Sequence, residues 1–432
     1  VNDPYSTTKL RDTLLAISGL VVYSQLREDP VICALNDLVV DILSKDEESG
    51  SDSETTNHIA RMMEKYSILF SLLMREDLSQ SPDLGAYVFS LAQNDDNAFS
   101  KTASETNSET SDKSISTDMR VLVLSDMRRL ITIAAFPARV ITSALFVTST
   151  PELPEWRHDT SGITESELFS SLFEYHRTKS FGVFARYHAF VWKNSRLEPV
   201  IHPDPIRLDQ LFSYEYEIKQ VSDNTLRLIR HKRADNVLLF GSRGTGKSST
   251  VKAVANAYKD KGLRLIEIDK DDLLSIPDLL EYLSKLANTF LSFILFLDDL
   301  TFPEEDTRFT VLKTVLEGGI KKRPDNVAIY ATSNRRHIVA EKDSSETYAN
   351  DAHDELLSLS DRFGISVRFS SPNQQIYLNI VYGILSDRKI EFDRETVAQK
   401  ALMWAMRENG RSPRTARQFS DYFEAELYST VE

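Results

Sequence analysis

Apolar residues recur three and four apart through the first part of the chain. Leu10, Leu14, Leu15, Ile17 and Val21 form one series, and Ile59, Met62, Met63, Tyr66 and Leu69 another. This spacing lines one face of a helix, so residues 1–93 read as helices. Between the two series lies Asp46-Glu47-Glu48-Ser49-Gly50-Ser51-Asp52-Ser53-Glu54, acidic, rich in serine and without core residues; a second such stretch runs from about Asn94 to Asp118. Both predict mobile loops or disorder, near 46–56 and 94–118. Helical pattern resumes from Met119 to about Ser149, and Pro151, Pro154 and Gly162 break it. Thr164-Glu165-Ser166-Glu167 then places a hydroxyl at a helix cap and acids in its first turn. The helix it opens, Leu168 to about Tyr187, belongs to an aromatic series: Phe169, Phe173, Tyr175, Phe181, Phe184, Tyr187 and Phe190. At helical spacing these read as core, with base stacking or peptide binding as the alternative.

His202-Pro203-Asp204-Pro205 marks a join, and from Ile206 the texture changes. Short apolar runs appear at Asn236 to Phe240, Leu263 to Ile268, Phe293 to Leu297 and Val327 to Ala331, each followed by a helical pattern. Buried runs alternating with helices predict a parallel sheet covered on both faces. From about Gln374 the pattern is helical to the end. The expected organisation is a mainly helical accessory domain (1–200), an α/β domain (201–372) and a small helical domain (373–432).

The densest chemistry is Gly241-Ser242-Arg243-Gly244-Thr245-Gly246-Lys247-Ser248, between a predicted strand and a predicted helix. That is the setting a phosphate-binding loop requires. Three of the chain's 14 glycines fall here; they let backbone N–H groups converge on phosphate oxygens, and the helix adds its positive dipole end. Residues 241–249, with Ser249 the last, are the expected nucleotide-binding set. Lys247 would bridge the β- and γ-phosphates, and Ser248 would hold Mg²⁺. The run Phe293 to Leu297 ends in Asp298-Asp299, carboxylates at the edge of a sheet where ligands bind. Asp298 is the expected metal residue, through water, and Asp299 the group that orients or deprotonates an attacking water. A capped turn is the alternative for the pair.

The fourth run leads into Thr332-Ser333-Asn334; Ser360-Asp361-Arg362-Phe363-Gly364 and Ser412-Pro413-Arg414-Thr415-Ala416 follow, and Leu208 to Glu217 precedes the first run. In this order the segments resemble those of AAA+ ATPases. Asn334 matches the sensor-1 polar residue near the γ-phosphate. Arg362 matches the arginine finger of the Holliday-junction branch-migration motor and clamp-loader relatives, and Arg414 the sensor-2 arginine. Residues 208–217 resemble the segment that flanks adenine, and 374–428 the lid. The chain is similar, closer still, to an uncharacterised, mainly bacterial AAA+ family of predicted ATPases, through strings such as Asn236 to Gly241, Gly244 to Ser249, Ala331 to His337, Ser358 to Gly364 and Arg414 to Phe419. This resemblance covers about residues 180–430. It implies a P-loop AAA+ core, ATP and Mg²⁺ as ligands, and catalytic roles for Asp299, Asn334, Arg362 and Arg414. A finger acts on a neighbour's nucleotide, which implies a homo-oligomeric ring or arc such as a hexamer; local pairing of Arg362 with acids such as Asp361 is the alternative. The second acid of the wider pattern is usually Glu, and here it is Asp299, one methylene shorter. Slow hydrolysis is therefore expected, with a non-hydrolytic switch as the alternative.

The rest of the composition narrows the task. A net charge of −14 argues against attraction of the whole protein to nucleic acid. A single cysteine, Cys33, excludes a disulfide framework and fits a reducing compartment, the cytoplasm or an organelle interior if a leader precedes Val1. The most apolar stretch, Ile131 to Thr148, carries Pro137 and Arg139, so a pair of buried helical segments is expected rather than a membrane span. Arg227, Arg230, Lys232 and Arg233 read as a helix end, with a DNA or phosphate contact as the alternative. Arg335 and Arg336 read as a solvated loop or as a contact to a neighbour. His202, His337 and His353 lack metal spacing. The region after the second run, Asp269 to Pro277, has no aromatic–apolar–Gly triplet, which weighs against peptide threading. Remodelling of an unidentified protein partner leads; a DNA-acting loader or motor and a nucleotide-controlled assembly switch are the alternatives.

Overall fold

The computed structural model describes residues 4–44, 52–74, 82–105, 115–145, 153–158, 162–300, 307–317, 323–334, 362–408 and 410–429. Two compact units form, 1–186 and 187–432.

The first unit is helical: α1 (Pro4–Ser18), α2 (Pro30–Ser44), α3 (Asp52–Met74), α4 (Leu84–Gln93), α5 (Ala98–Ser104), α6 (Thr117–Ala134), α7 (Ala138–Leu145), α8 (Glu165–Lys179) and α9 (Gly182–Arg186). One apolar cluster from Leu10 to Leu172 holds it together. The start of α8 is the capping box read from the sequence: Thr164 Oγ1 accepts from Glu167 N at 3.2 Å, and Glu167 Oε2 accepts from Thr164 N at 2.9 Å. Phe169, Phe181 and Phe184 are buried, as core aromatics should be. The apolar stretch after Ile131 forms the end of α6 and then α7, with Phe136, Val140 and Ile141 buried. Among the described residues no helix is long and apolar enough to cross a membrane.

Three expectations need correction. Residues 94–118 are not one structureless stretch. Asn97 and Ser100 make a reciprocal cap that opens α5, and Phe99 is fully buried with its ring 5.2 Å from Phe169. The polar residues that suggested disorder are the cap itself. Similarly, α3 already begins at Asp52, inside the expected 46–56 loop. The domain boundary also moves, from 200 to 186. Ala189–Lys193 (β1) and Arg196–Pro199 (β2) form a hairpin whose first strand pairs in parallel with Leu263–Ile268 (β4). Asn194 and Ser195 supply the two positive φ values, 50° and 57°, that a two-residue hairpin turn demands.

The second unit is built on a seven-stranded sheet in the order β2-β1-β4-β5-β6-β3-β7, with β3 Val237–Gly241, β5 Ser292–Leu297, β6 Val327–Ser333 and β7 Ile365–Phe369. Every pair except β1–β2 is parallel. β5 and β6 are buried at every position, so their sequences are uninterrupted apolar runs. Helices α10 (Glu215–Ile229), α11 (Lys247–Tyr258), α12 (Ile276–Ser284) and α13 (Thr307–Glu317) accompany the strands. α10 ends at Ile229 with Arg227 in its last turn, 3.9 Å from Asp235, so Arg227 complements the helix dipole. The lid is α14 (Gln374–Asp387), α15 (Arg394–Arg407) and α16 (Pro413–Ser429). Lid residues Tyr377 and Phe419 join Val237 and Ile294 in one apolar cluster, so 187–432 is one compact unit rather than the two domains expected.

Two predictions concern the first unit. Asp126, fully buried on α6, accepts from the backbone N–H groups of Val21 (3.0 Å), Val22 (2.7 Å) and Tyr23 (3.1 Å) and from Arg129 (2.9 Å). Asp126→Ala removes the acceptor from the three backbone N–H groups and should cost about 3 kcal/mol, read as a lower urea midpoint. Burial pushes His176 down to about 4, although its Nδ1 hydrogen-bonds Ser180 O at 3.1 Å. The unfolded chain then takes up a proton that the folded unit refuses. The stability His176 contributes is complete above about pH 6.5 and is lost as pH falls from there toward 4. His176→Gln should remove up to about 1.4 kcal/mol per pH unit from the slope of unfolding free energy in that window.

Candidate functional site

The strand order dictates the site. β6 lies between β3, which runs into the glycine loop, and β5, which ends at the acids. In register, Leu297 faces Ala331 and Phe240 faces Ser333. One step further along, Asp298 meets Thr332, and the start of the loop meets Asn334. All these groups gather at the carboxyl edge of the sheet, where α/β folds bind ligands.

The loop from Gly241 to Gly246 joins β3 to α11. Gly241 has φ 137°, and a Cβ there would sit 2.0 Å from the carbonyl oxygen of Phe369 on β7, so no other residue fits. Gly246 caps α11 at φ 94°. Lys247 opens the helix and is 7% exposed. Its Nζ donates to Gly241 O (2.9 Å), Ser242 O (2.8 Å) and Asn334 Oδ1 (3.2 Å). Burial pushes the Lys247 pKa down, while the carboxylates of Asp299 and Asp298 act against that. Thr245 Oγ1 donates to Ser242 O at 2.8 Å and closes the loop on itself.

The acids are tied to the same network. Ser248 Oγ donates to Asp298 Oδ1 at 2.6 Å, and Thr332 Oγ1 donates to the same oxygen. Asn334 Nδ2 donates to Asp299 Oδ1 at 2.5 Å. Asp299 itself stands at φ 52°, a left-handed conformation that a non-glycine residue holds at a cost on the order of 1 kcal/mol. Its N–H donates to Thr332 Oγ1 (2.8 Å), and Leu300 N donates to Thr332 O (2.7 Å). Asn334 thus links Lys247 to Asp299. Ser248 and Asp298 form a hard oxygen pair of the kind Mg²⁺ takes.

The lid closes the cleft. Ser412 caps α16, accepting from Thr415 N at 3.0 Å, and Arg414 N donates to Gly244 O at 3.2 Å. A cation in a first helical turn opposes the dipole, so Arg414 does not serve helix stability there. It lines a cleft of about 650 Å³ together with Arg243, Ser249, Lys247 and Asp298. Three further positions were not singled out from the sequence. Arg417 lines the cleft one turn beyond Arg414. Phe212 lines it too and packs where Gly383 of α14 has no side chain, a Cβ there lying 2.6 Å from the ring. Thr332 is the third. A glycine inside a helical run, and the two-residue spacing of Thr332 and Asn334, were the available signals.

Arg362 is not in this cleft. It precedes β7, at the opposite edge of the sheet, and lines a cavity of about 700 Å³ with His231, Arg233, Asp235, Arg323 and Asp325. Arg323 donates to Ala234 O (2.7 Å) and to Asn236 Oδ1. The five residues of β3 separate the two edges by about 16 Å. Asp361, Arg335, Arg336, His337 and His353 lie outside the described residues.

Residues 185–427 match the family described as "Protein of unknown function (DUF815)". Over 80 residues the chain is 36% identical to an ORC1-type DNA replication protein of Desulfurococcus amylolyticus, a stretch covering 18% of this chain and 20% of that protein. The chain thus spans one fifth of that curated relative's length. Among solved structures, the Holliday junction branch migration motor RuvB of Thermotoga maritima is similar at 16% identity and TM-score 0.36, over 52% of this chain and 66% of that one. A DNA replication initiation factor is similar at 18% identity and TM-score 0.34, over 52% and 65%. The family match spans more than half of the 432 residues, and its span contains the glycine loop, the acids and the three C-terminal helices; the chain belongs to the DUF815 family.

Proposed function

We propose that the protein binds ATP with Mg²⁺ and hydrolyses it in a site completed by a second copy of the chain, and that the cycle remodels a protein partner engaged by residues 1–186. The observation that carries this reading is the continuous network Ser248–Asp298–Thr332–Asp299–Asn334–Lys247 at one sheet edge. Lys247 and the N–H groups of residues 241–249 hold the phosphates. Ser248 and, through water, Asp298 would hold Mg²⁺, which would supply charge neutralisation for the phosphates. Asp299 accepts a proton from the attacking water, and Asn334 orients both. Arg414 approaches the phosphates from the lid.

Arg362 supports the second copy. At about 16 Å from the loop along β3, it cannot act on its own chain's nucleotide, and a neighbour's nucleotide suits it. A ring or arc, a hexamer being one closed form, follows. The partner reading is supported by the separate apolar core of 1–186. It is also supported by the segment after β4: Lys270–Ser275 is a 3₁₀ turn that runs into α12, unlike a threading loop. The net charge of −14 weighs against a DNA substrate. The cytoplasm suits an exposed cysteine, Cys33. One observation favours a second reading, a slow nucleotide-controlled assembly switch: Asp299 has the shorter carboxylate, and Asn334 already occupies it.

Lys247→Ala should abolish binding of a fluorescent ATP analogue. Asp299→Asn should keep that binding and lower phosphate release by roughly 10²- to 10⁴-fold. Equal turnover in Asp299→Asn and parent would remove Asp299 as the base, and a parent without turnover that still assembles on ATP would select the switch. Arg362→Ala should lose on the order of 10³-fold in turnover. Mixing it with Lys247→Ala should restore part of the activity, because some mixed interfaces then pair an intact loop with an intact finger. Absence of any recovery on mixing would sink the shared site.

A further inference from the structure

We infer that Thr332 is a positioning residue that sets both acids through one hydroxyl; the inference rests on the ATPase reading above. A threonine hydroxyl has one donor and two acceptor sites. Here the donor goes to Asp298 Oδ1, and the oxygen accepts from Asp299 N at 2.8 Å. The carbonyl of the same residue accepts from Leu300 N at 2.7 Å. Three consecutive residues of the acid segment are therefore held by one residue of the neighbouring strand.

The environment makes this clamp rigid. Thr332 is 1% exposed, and its branched Cβ restricts χ1. The next residue reinforces it: Ser333 Oγ donates to Leu300 O at 3.1 Å. Two consequences follow. Asp298 Oδ1 accepts from both Ser248 and Thr332, so the Thr332 bond fixes the carboxylate that would hold a metal through water. Asp299 stands at φ 52°, and the bond from its N–H to Thr332 holds it in that left-handed turn. Thr332 thereby acts on metal placement through Asp298 and on water activation through Asp299.

The test compares Thr332→Val, which keeps shape and loses the hydroxyl, with Thr332→Ser, which keeps the hydroxyl. In Thr332→Val, kcat should fall and the Mg²⁺ needed for half-maximal rate should rise, each by roughly ten- to a hundredfold. The KM for ATP should stay within about threefold, since uniform binding is untouched. Thr332→Ser should recover most of both losses. A Val variant with the parent's kcat and Mg²⁺ dependence overturns the inference, and so does a Ser variant as impaired as Val, which would assign the effect to packing. If the parent itself shows no turnover, the ATPase reading falls while this inference stays testable. Mn²⁺-dependent binding of a fluorescent ATP analogue should then need roughly tenfold more Mn²⁺ for half-saturation in Thr332→Val, and the same Mn²⁺ dependence in parent and variant overturns it.

Discussion

Thr332 and Asn334 leave the same side of β6 two residues apart, and β6 has the loop strand on one flank and the acid strand on the other. That placement is the constraint on which the site depends. An amide has an acceptor at one end and donors at the other, so Asn334 can accept from Lys247 and donate to Asp299 at once. A hydroxyl can donate and accept, so Thr332 can serve Asp298 and Asp299 at once. Neither bridge would exist if β5 lay directly beside β3. The full burial of β5 and β6 fixes their register, because a one-residue slip would exchange the faces of every side chain.

The parts readable in the sequence are those whose physical requirements are local. Gly241, Gly244 and Gly246 announce a loop because the backbone there takes positive φ. The apolar runs announce buried strands because both faces are covered. Thr164 and Glu167 announce a helix start because the cap is made within four residues. What escaped depends on distant partners. β1 is a short apolar segment ending in Lys193 that becomes a strand by pairing with β4, some seventy residues on. α5 looks polar because its cap is Asn97 with Ser100, and its membership of the core rests on Phe99 meeting Phe169. Thr332 reads as one residue of an apolar strand, and its role appears once the register with Asp298 is known.

The two edges of the sheet divide the work. The carboxyl edge gathers the loop, the acids and the lid arginines. The amino edge gathers Arg362 with Asp235 and Arg323, and Arg323 braces it by donating to Ala234 O. Parallel strands make this division unavoidable, since every strand except β2 enters at one edge and leaves at the other. A group placed before β7 therefore faces away from the phosphate loop of its own chain.

The proposed binding and hydrolysis of ATP rest on different kinds of structure within the carboxyl edge. Binding depends on backbone N–H groups whose directions follow from the chain path, held by a close approach of Gly241 to Phe369 that tolerates no side chain. Hydrolysis depends on where one short carboxylate ends up. Asp299 gains its position from a strained φ and two hydrogen bonds from β6 and its neighbour residue, and a displacement of about 1 Å at a reacting group can cost on the order of 10²-fold in rate. The loop is thus tolerant of small shifts, whereas the acid is not. Under the proposed function, movement of β6 relative to β5 would change turnover well before it changed nucleotide affinity.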